Sequence, residues 1–263
     1  MQWSEVALDY IERLKPIAPT KNILAKIFSL LDLTSLNETD TEAVMAPFFA
    51  KATYAGTSVA AVCIYPPFVR MAVSQFSGTL IKVATVANFP AGTSTLESVL
   101  IEINQALRDG AEEIDVVFPY ERYLAGENHY AHEFVAACKA ACGDTVTLKV
   151  ILETGILLDP VIIADASHTA LAAGADFIKT STGKMAAGAT LEAAAVMLLV
   201  IKHMRAQLQR ELGFKVSGGI RVVDQALQYI QLAELIMGHD WVSPQTFRIG
   251  ASKLVDAIAD SNA

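Results

Sequence analysis

An apolar run followed by a helix-spaced pattern recurs eight times along this chain. Residues 27–33, 58–65, 80–86, 113–118, 145–152, 175–181, 214–217 and 246–250 read as strands. They are short and nearly continuous in apolar character, which is how parallel strands covered on both faces look. Helical spacing fills 41–55, 95–108, 160–173, 191–212, 222–236 and 252–258, and also follows Pro66-Pro67 and Pro119, with Gly56, Gly110, Gly143, Gly174 and Gly213 closing helices. Eight strand–helix units in sequence predict a closed (β/α)8 TIM barrel of class α/β. The runner-up is an open doubly wound sheet, but no G-x-G-x-x-G turn follows the first strand. Ahead of the units, apolar residues at 3, 6, 7, 10, 11 and 14 predict an extra N-terminal helix, ended by Pro16 and Pro19. The expectation is one domain over 1–263, with 1–20 as a helical extension.

Composition narrows the function. Hydrophobic residues make up 53% and charged residues 18%, which suits a large core. The formal net charge is −8, and no basic block stands out. Nucleic-acid binding relies on clustered cations and is disfavoured. No run reaches the ~18 apolar residues of a membrane span, and the first fifteen residues lack the pattern of a secretion signal. A cytoplasmic protein is expected. Cys63, Cys138 and Cys142 cannot all pair, and Cys138 and Cys142 lie one helical turn apart, unlike a C-x-x-C redox motif. Free thiols and no metal site are expected.

Unusual polar residues recur at the strand ends, where barrels carry their chemistry. Asp32 and Thr34 end the first strand, Cys63 lies near the end of the second, and Asp115 stands on the fourth. Lys149 and Glu153 are on the fifth strand, Lys179 on the sixth and Lys215 on the seventh. Alternation puts Phe177, Lys179 and Ser181 on one face, and Lys149, Ile151 and Glu153 on another. Burying several charges costs several kcal/mol each unless they are compensated, so a crowd of them at one end argues for function. On the opposite side of that end, Thr182-Gly183-Lys184, Gly218-Gly219 and Gly250-Ala-Ser252 follow strands six, seven and eight. Glycine loops and helix N-termini in these positions suit a phosphate. Lys179 is then an amine set in an apolar strand end beside a phosphate cradle, which suggests covalent chemistry on a phosphorylated carbonyl compound. Its free pKa of about 10.4 would have to fall by about 3 units, or about 4 kcal/mol. A second ammonium on the adjacent strand, Lys215, could supply that at about 4 Å and an effective dielectric of about 20.

Seven stretches, in order, carry a resemblance: Leu31-Asp-Leu-Thr-Ser-Leu-Asn37, Val62-Cys-Ile-Tyr-Pro66, Ala84-Thr-Val-Ala-Asn-Phe-Pro90, Glu113-Ile-Asp-Val-Val-Phe-Pro119, Leu148-Lys-Val-Ile-Leu-Glu-Thr-Gly155, Ala175-Asp-Phe-Ile-Lys-Thr-Ser-Thr-Gly-Lys184 and Phe214-Lys-Val-Ser-Gly-Gly-Ile-Arg221. Over about residues 30–252 the chain resembles the deoxyribose-phosphate aldolases, class I enzymes that work through a lysine Schiff base. The resemblance implies a cofactor-free, metal-free cleavage of 2-deoxy-D-ribose 5-phosphate into D-glyceraldehyde 3-phosphate and acetaldehyde. It implies that Lys179 forms the Schiff base and that Asp115 and Lys215 are the proton-relay pair. It further implies that Gly183, Lys184, Gly218, Gly219, Gly250 and Ser252 hold the phosphate, and that the chain forms a homo-oligomer, with a dimer favoured. Asp32, Thr34, Cys63, Lys149 and Thr182 complete the expected substrate-binding wall. Three departures from the family pattern stand out. Val216 and Ser217 replace the usual Pro-Ala of the strand-seven motif, Lys253 follows Ser252 in place of a second serine, and the chain ends Asp260-Ser-Asn-Ala263 without the terminal tyrosine of some relatives. The competing readings are another class I aldolase, of the transaldolase or fructose-bisphosphate kind, and a barrel that binds sugar phosphates without turning them over.

Overall fold

The eight apolar runs become the eight strands of a closed parallel barrel in the computed structural model, which describes residues 2–261. We number them β1 (Leu31–Ser35), β2 (Ala61–Ile64), β3 (Lys82–Ala87), β4 (Glu113–Val117), β5 (Thr147–Ile151), β6 (Phe177–Lys179), β7 (Gly213–Ser217) and β8 (Phe247–Ala251). Each strand pairs with its neighbour in sequence, and β8 closes onto β1 through Leu31↔Ile249 and Asp32↔Gly250. Helices cover the outside, the longest at Leu191–Leu208. The fold is the (β/α)8 barrel that the eight repeats predict. Asn262 and Ala263, the end of the tail lacking a tyrosine, lie outside the described residues.

Strand alternation sorts the side chains into two sets. Leu31, Leu33, Val62, Ile64, Ile114, Val116, Val150, Ile178, Val216 and Ile249 join the main core against the helices. The opposite set fills the barrel. On the β2–β3 side it is small and apolar, with Ala61, Cys63, Ala84 and Val86 forming a separate cluster. Elsewhere inside it is ionic: Asp32, Glu113, Asp115, Lys149, Lys179, Lys215 and Arg248 are all buried. Phe177 lies opposite Gly213 in register. A Cβ at Gly213 would fall on the Phe177 ring, so only glycine leaves room for that plug.

The N-terminal region differs from its expectation. Two helices precede β1, α1 (Trp3–Glu12) and α2 (Lys21–Ser29). The run at 27–33 is therefore split: its first part ends α2 and its second part starts β1. The helical signal was present, since Leu24, Ile27 and Phe28 are α2's buried face and the Thr20 hydroxyl caps its N-terminus from Ile23 N–H. The helix expected at 41–55 stops at Ala50, and a two-residue hairpin (Thr53–Tyr54 with Thr57–Ser58) follows. After β4 there are two helices, Tyr120–Leu124 and Asn128–Cys142, where one was expected. Among the described residues no helix is long and apolar enough to cross a membrane.

Candidate active site

Lys179 is the last residue of β6, and its inward parity follows from Phe177 two positions earlier. The register sets Lys179 beside Lys215 on β7 and Ile151 on β5. Its Nζ stands 2.8 Å from Asp115 Oδ2. Lys215 Nζ reaches the same oxygen at 2.7 Å, so the two lysines share one carboxylate atom. The other oxygen, Oδ1, takes Lys149 Nζ at 2.8 Å. Asp115 thus meets three ammonium-bearing side chains from three consecutive strands while wholly buried.

A second layer of ion pairs lies around this one. Lys215 also contacts Asp32 at 2.6 Å, and Lys149 contacts Glu113 at 2.6 Å. Arg248 bridges the two acids, 2.6 Å from Asp32 and 2.9 Å from Glu113. It also donates to the Pro244 carbonyl. Isolated, such charges would each cost several kcal/mol to bury; here every one has an opposite partner within hydrogen-bond range.

This arrangement sets the protonation states. Burial pushes the Lys179 amine below the ordinary lysine range; Asp115 pulls it back up and Lys215 pushes it further down. The expectation that Lys215 is the main cause is therefore corrected: exclusion from water comes first and Lys215 assists. Burial acts the same way on Lys215, but Asp115 and Asp32 outweigh it and hold that ammonium above its usual value. For Asp115, burial would raise the carboxyl, yet Lys149, Lys179 and Lys215 together keep it well below the carboxylate range. The site therefore favours a charged Lys215 and a charged Asp115, and it makes the Lys179 amine easier to deprotonate than an ordinary lysine.

Above Lys179 a pocket of about 230 Å³ opens at the C-terminal end of the barrel. Lys179 forms its floor, and its wall comes from the loops after β6, β7, β8 and β1. Thr34, Thr182, Gly183, Lys184, Gly218, Gly219, Gly250 and Ser252 all line it, where the sequence led us to expect them. Asp32, Lys149 and Cys63 do not. Asp32 is the second residue of β1 and Lys149 the middle of β5, so both lie under the floor in the ion layer. Cys63 is fully buried on β2, its Sγ 3.9 Å from Asp115 Oδ2, and burial pushes its thiol up. Parity identifies which side chains point inward but not how deep they lie, which is why these three were expected at the wall.

Glu153 fixes the β6 loop from the tip of β5. Its Oε2 accepts from the Thr182 N–H at 3.1 Å and from the Thr182 hydroxyl at 2.5 Å. That hydroxyl in turn accepts from Lys184 N–H at 3.1 Å. Lys184 Nζ reaches across to the Leu36 carbonyl of the β1 loop. Ser217 lines the pocket and donates its hydroxyl to the Ser181 carbonyl. Arg221 and Lys253 add two cations to the same wall. Sequence reasoning missed Arg248, Glu113, Leu36 and Asn37. Arg248 shares the parity of Gly250, and Glu113 that of Asp115, so an alternation test applied to every charged strand residue would have found the first two.

Comparison with known proteins places the barrel in a family. The profile of the DeoC/LacD family aldolases matches residues 26–251. The chain belongs to the DeoC/LacD aldolase family. Among solved structures, a candidate deoxyribose-phosphate aldolase from Coccidioides immitis is 27% identical over 100% of this chain and 97% of its own, with a TM-score of 0.79. A candidate deoxyribose-phosphate aldolase from Toxoplasma gondii ME49 is 26% identical over 91% of this chain and 95% of its own, with a TM-score of 0.82. The deoxyribose phosphate aldolase from Aeropyrum pernix, at 23% identity and a TM-score of 0.70 over 98% of this chain and 97% of its own, shares the fold. The aldolase barrel thus extends from the end of α2 to β8, and the pocket above Lys179 lies at the end of the barrel where members of this fold carry their active sites.

Proposed function

We propose that this DeoC/LacD-family aldolase cleaves 2-deoxy-D-ribose 5-phosphate reversibly, through a Schiff base on Lys179. The observation that carries the reading is that Lys179 and Lys215 meet on one oxygen of Asp115 at the floor of a pocket rimmed by three glycine-containing loops. A neutral amine there attacks C1 of the open-chain aldehyde to give a carbinolamine. Loss of water gives the iminium, which acts as the electron sink. Asp115, through a bound water, takes the proton of the C3 hydroxyl, and the C2–C3 bond breaks. Its electron pair moves onto C2 as an enamine, and C3 departs as the aldehyde carbon of glyceraldehyde 3-phosphate. Protonation at C2 and hydrolysis of the remaining iminium release acetaldehyde and restore the amine. Lys215, the partner of Asp115 in the expected proton relay, keeps positive potential beside the imine nitrogen.

The rim supplies remote binding. Backbone N–H groups around Gly183, Gly218, Gly219 and Gly250, the Ser252 hydroxyl and the Lys184 ammonium suit the dianionic phosphate. Holding it there would fix C1 over Lys179. Borohydride reduction in the presence of 2-deoxyribose 5-phosphate, followed by peptide mapping, tests the assignment. The adduct is expected on residue 179, with acetaldehyde as the volatile product. Lys179→Leu is expected to lose the adduct and turnover together; full-yield trapping in that variant would remove Lys179 from the role.

A further inference from the structure

Seven buried side chains inside the barrel form one connected set of ion pairs, and their charges do not cancel if all are ionised. Lys149, Lys215 and Arg248 face Asp32, Glu113 and Asp115. Those three cations and three carboxylates balance by themselves. Lys179, the seventh, is joined only through Asp115, whose Oδ2 is already held by Lys215. The balance depends on two residues that touch neither Lys179 nor the pocket. Arg248 neutralises Asp32 and Glu113 from beneath, and Glu113 in turn engages Lys149.

We propose that Arg248 and Glu113 are positioning residues of this aldolase, which set how readily the Lys179 amine gives up its proton by closing the buried ion layer at equal charge without it. The inference rests on the reading of Lys179 as the imine-forming amine. Removing Arg248 leaves an excess negative charge under the floor, which favours the protonated form of the Lys179 amine. Removing the Glu113 carboxylate leaves an excess positive charge, which repels that proton. The two substitutions therefore act in opposite directions, which a purely packing role cannot produce. The groups facing Lys179 from the surrounding strands are Asp115 on β4, Lys215 on β7, the Cys63 thiol on β2 and Glu153 at the β5 tip. Among the described residues Lys179 has Asp115 as its ion-pair partner, and burial pushes the Cys63 thiol and the Glu153 carboxyl up. Thr182's two hydrogen bonds work against burial at Glu153, but they tie its charge to the loop rather than to the ion layer.

The test is the pH dependence of acetaldehyde trapping by cyanoborohydride, with the adduct mapped to residue 179, in the full chain. Arg248→Met is expected to move the midpoint up by about one pH unit, the order of effect a buried unit charge exerts on a group that it does not touch at an effective dielectric of about 20. Glu113→Gln is expected to move it down by a similar amount. Arg248→Lys, which keeps the charge, and the balanced pair R248M/E113Q should stay within about 0.3 pH units of the unmodified chain, well under that shift. If Arg248→Met fails to fold, the comparison of E113Q with R248M/E113Q carries the same sign test, the second change raising the midpoint. Coincident midpoints, or single variants that move the same way, overturn the proposal. So does loss of fold in all three charge-removing variants, which would give the pair a structural role only. An unmodified chain that forms no adduct at residue 179 would instead defeat the Schiff-base reading itself. The two failures are thus distinguishable.

Discussion

At the residue scale, the site turns on how one carboxylate oxygen is shared. Asp115 Oδ2 accepts from both Lys179 and Lys215 at nearly equal distance. While Lys215 is present, Lys179 has only half a counter-ion and a like charge beside it. Lys215→Leu would change both terms in the same direction. The repelling ammonium disappears, and Asp115 Oδ2 is released to Lys179, with Lys149 still on Oδ1. The Lys179 pKa must therefore rise, and the midpoint of borohydride trapping against pH should shift upward, by more than in Arg248→Met. An unshifted or lowered midpoint would show that burial alone controls the amine. The same variant leaves Asp32 with Arg248 as its close partner and Asp115 with Lys149 and Lys179. It should fold, with stability reduced by about 3 kcal/mol, the usual cost of breaking one partner out of a buried pair.

At the scale of elements, two of the loops that rim the pocket, those after β6 and β7, are pressed together backbone to backbone. A Cβ on Gly188, in the loop after β6, would lie well inside contact with the Gly218 carbonyl in the loop after β7. Backbone cannot rotate away, so Gly188→Ala would push the two loops apart. The expected result is a KM for 2-deoxyribose 5-phosphate raised about tenfold, a loss of about 1.4 kcal/mol. Turnover of unphosphorylated deoxyribose should change much less. Equal losses on both substrates would place the phosphate elsewhere. These loops were legible in the sequence because glycine, serine and lysine after three consecutive apolar runs are hard to explain otherwise. The strands were legible for the same reason: parallel strands covered on both faces are written as unbroken apolar residues, and even the three-residue β6 stands out between Ala175 and Ser181. What escaped was depth and contact. Nothing in the order of residues 246–250 says that Arg248 reaches across the barrel to Glu113, 135 positions away. Likewise Ile27 and Leu31 look alike in sequence, and only the helix cap at Thr20 distinguishes the end of α2 from the start of β1.

For the molecule as a whole, the ion layer makes folding stability depend on pH in three windows. Asp32 and Asp115 have folded pKa values below their unfolded ones. Their contribution is present above about pH 3.9 and is lost as pH falls through the folded values. Lys149 and Lys215 have raised folded values. Theirs is present below about pH 10.4 and is lost as pH rises beyond that, through the folded values. Lys179 runs the other way. Between its depressed folded pKa and about 10.4, the unfolded chain binds a proton that the native chain does not, so stability rises with pH by up to about 1.4 kcal/mol per unit. The amine proposed to form the Schiff base therefore destabilises the fold at neutral pH. Lys179→Met keeps the volume, removes the proton and leaves Asp115 paired with Lys149 and Lys215. It should be inactive yet more stable than the unmodified chain at pH 7, by about 1 kcal/mol or about 2–4 °C in Tm. Melting followed from pH 7 to pH 10 should show that advantage shrinking as pH rises, because only the unmodified chain gains stability over that interval. A Tm gap that stays constant or widens would mean that Lys179 is charged in the native barrel across that interval, which counts against its reading as a neutral nucleophile.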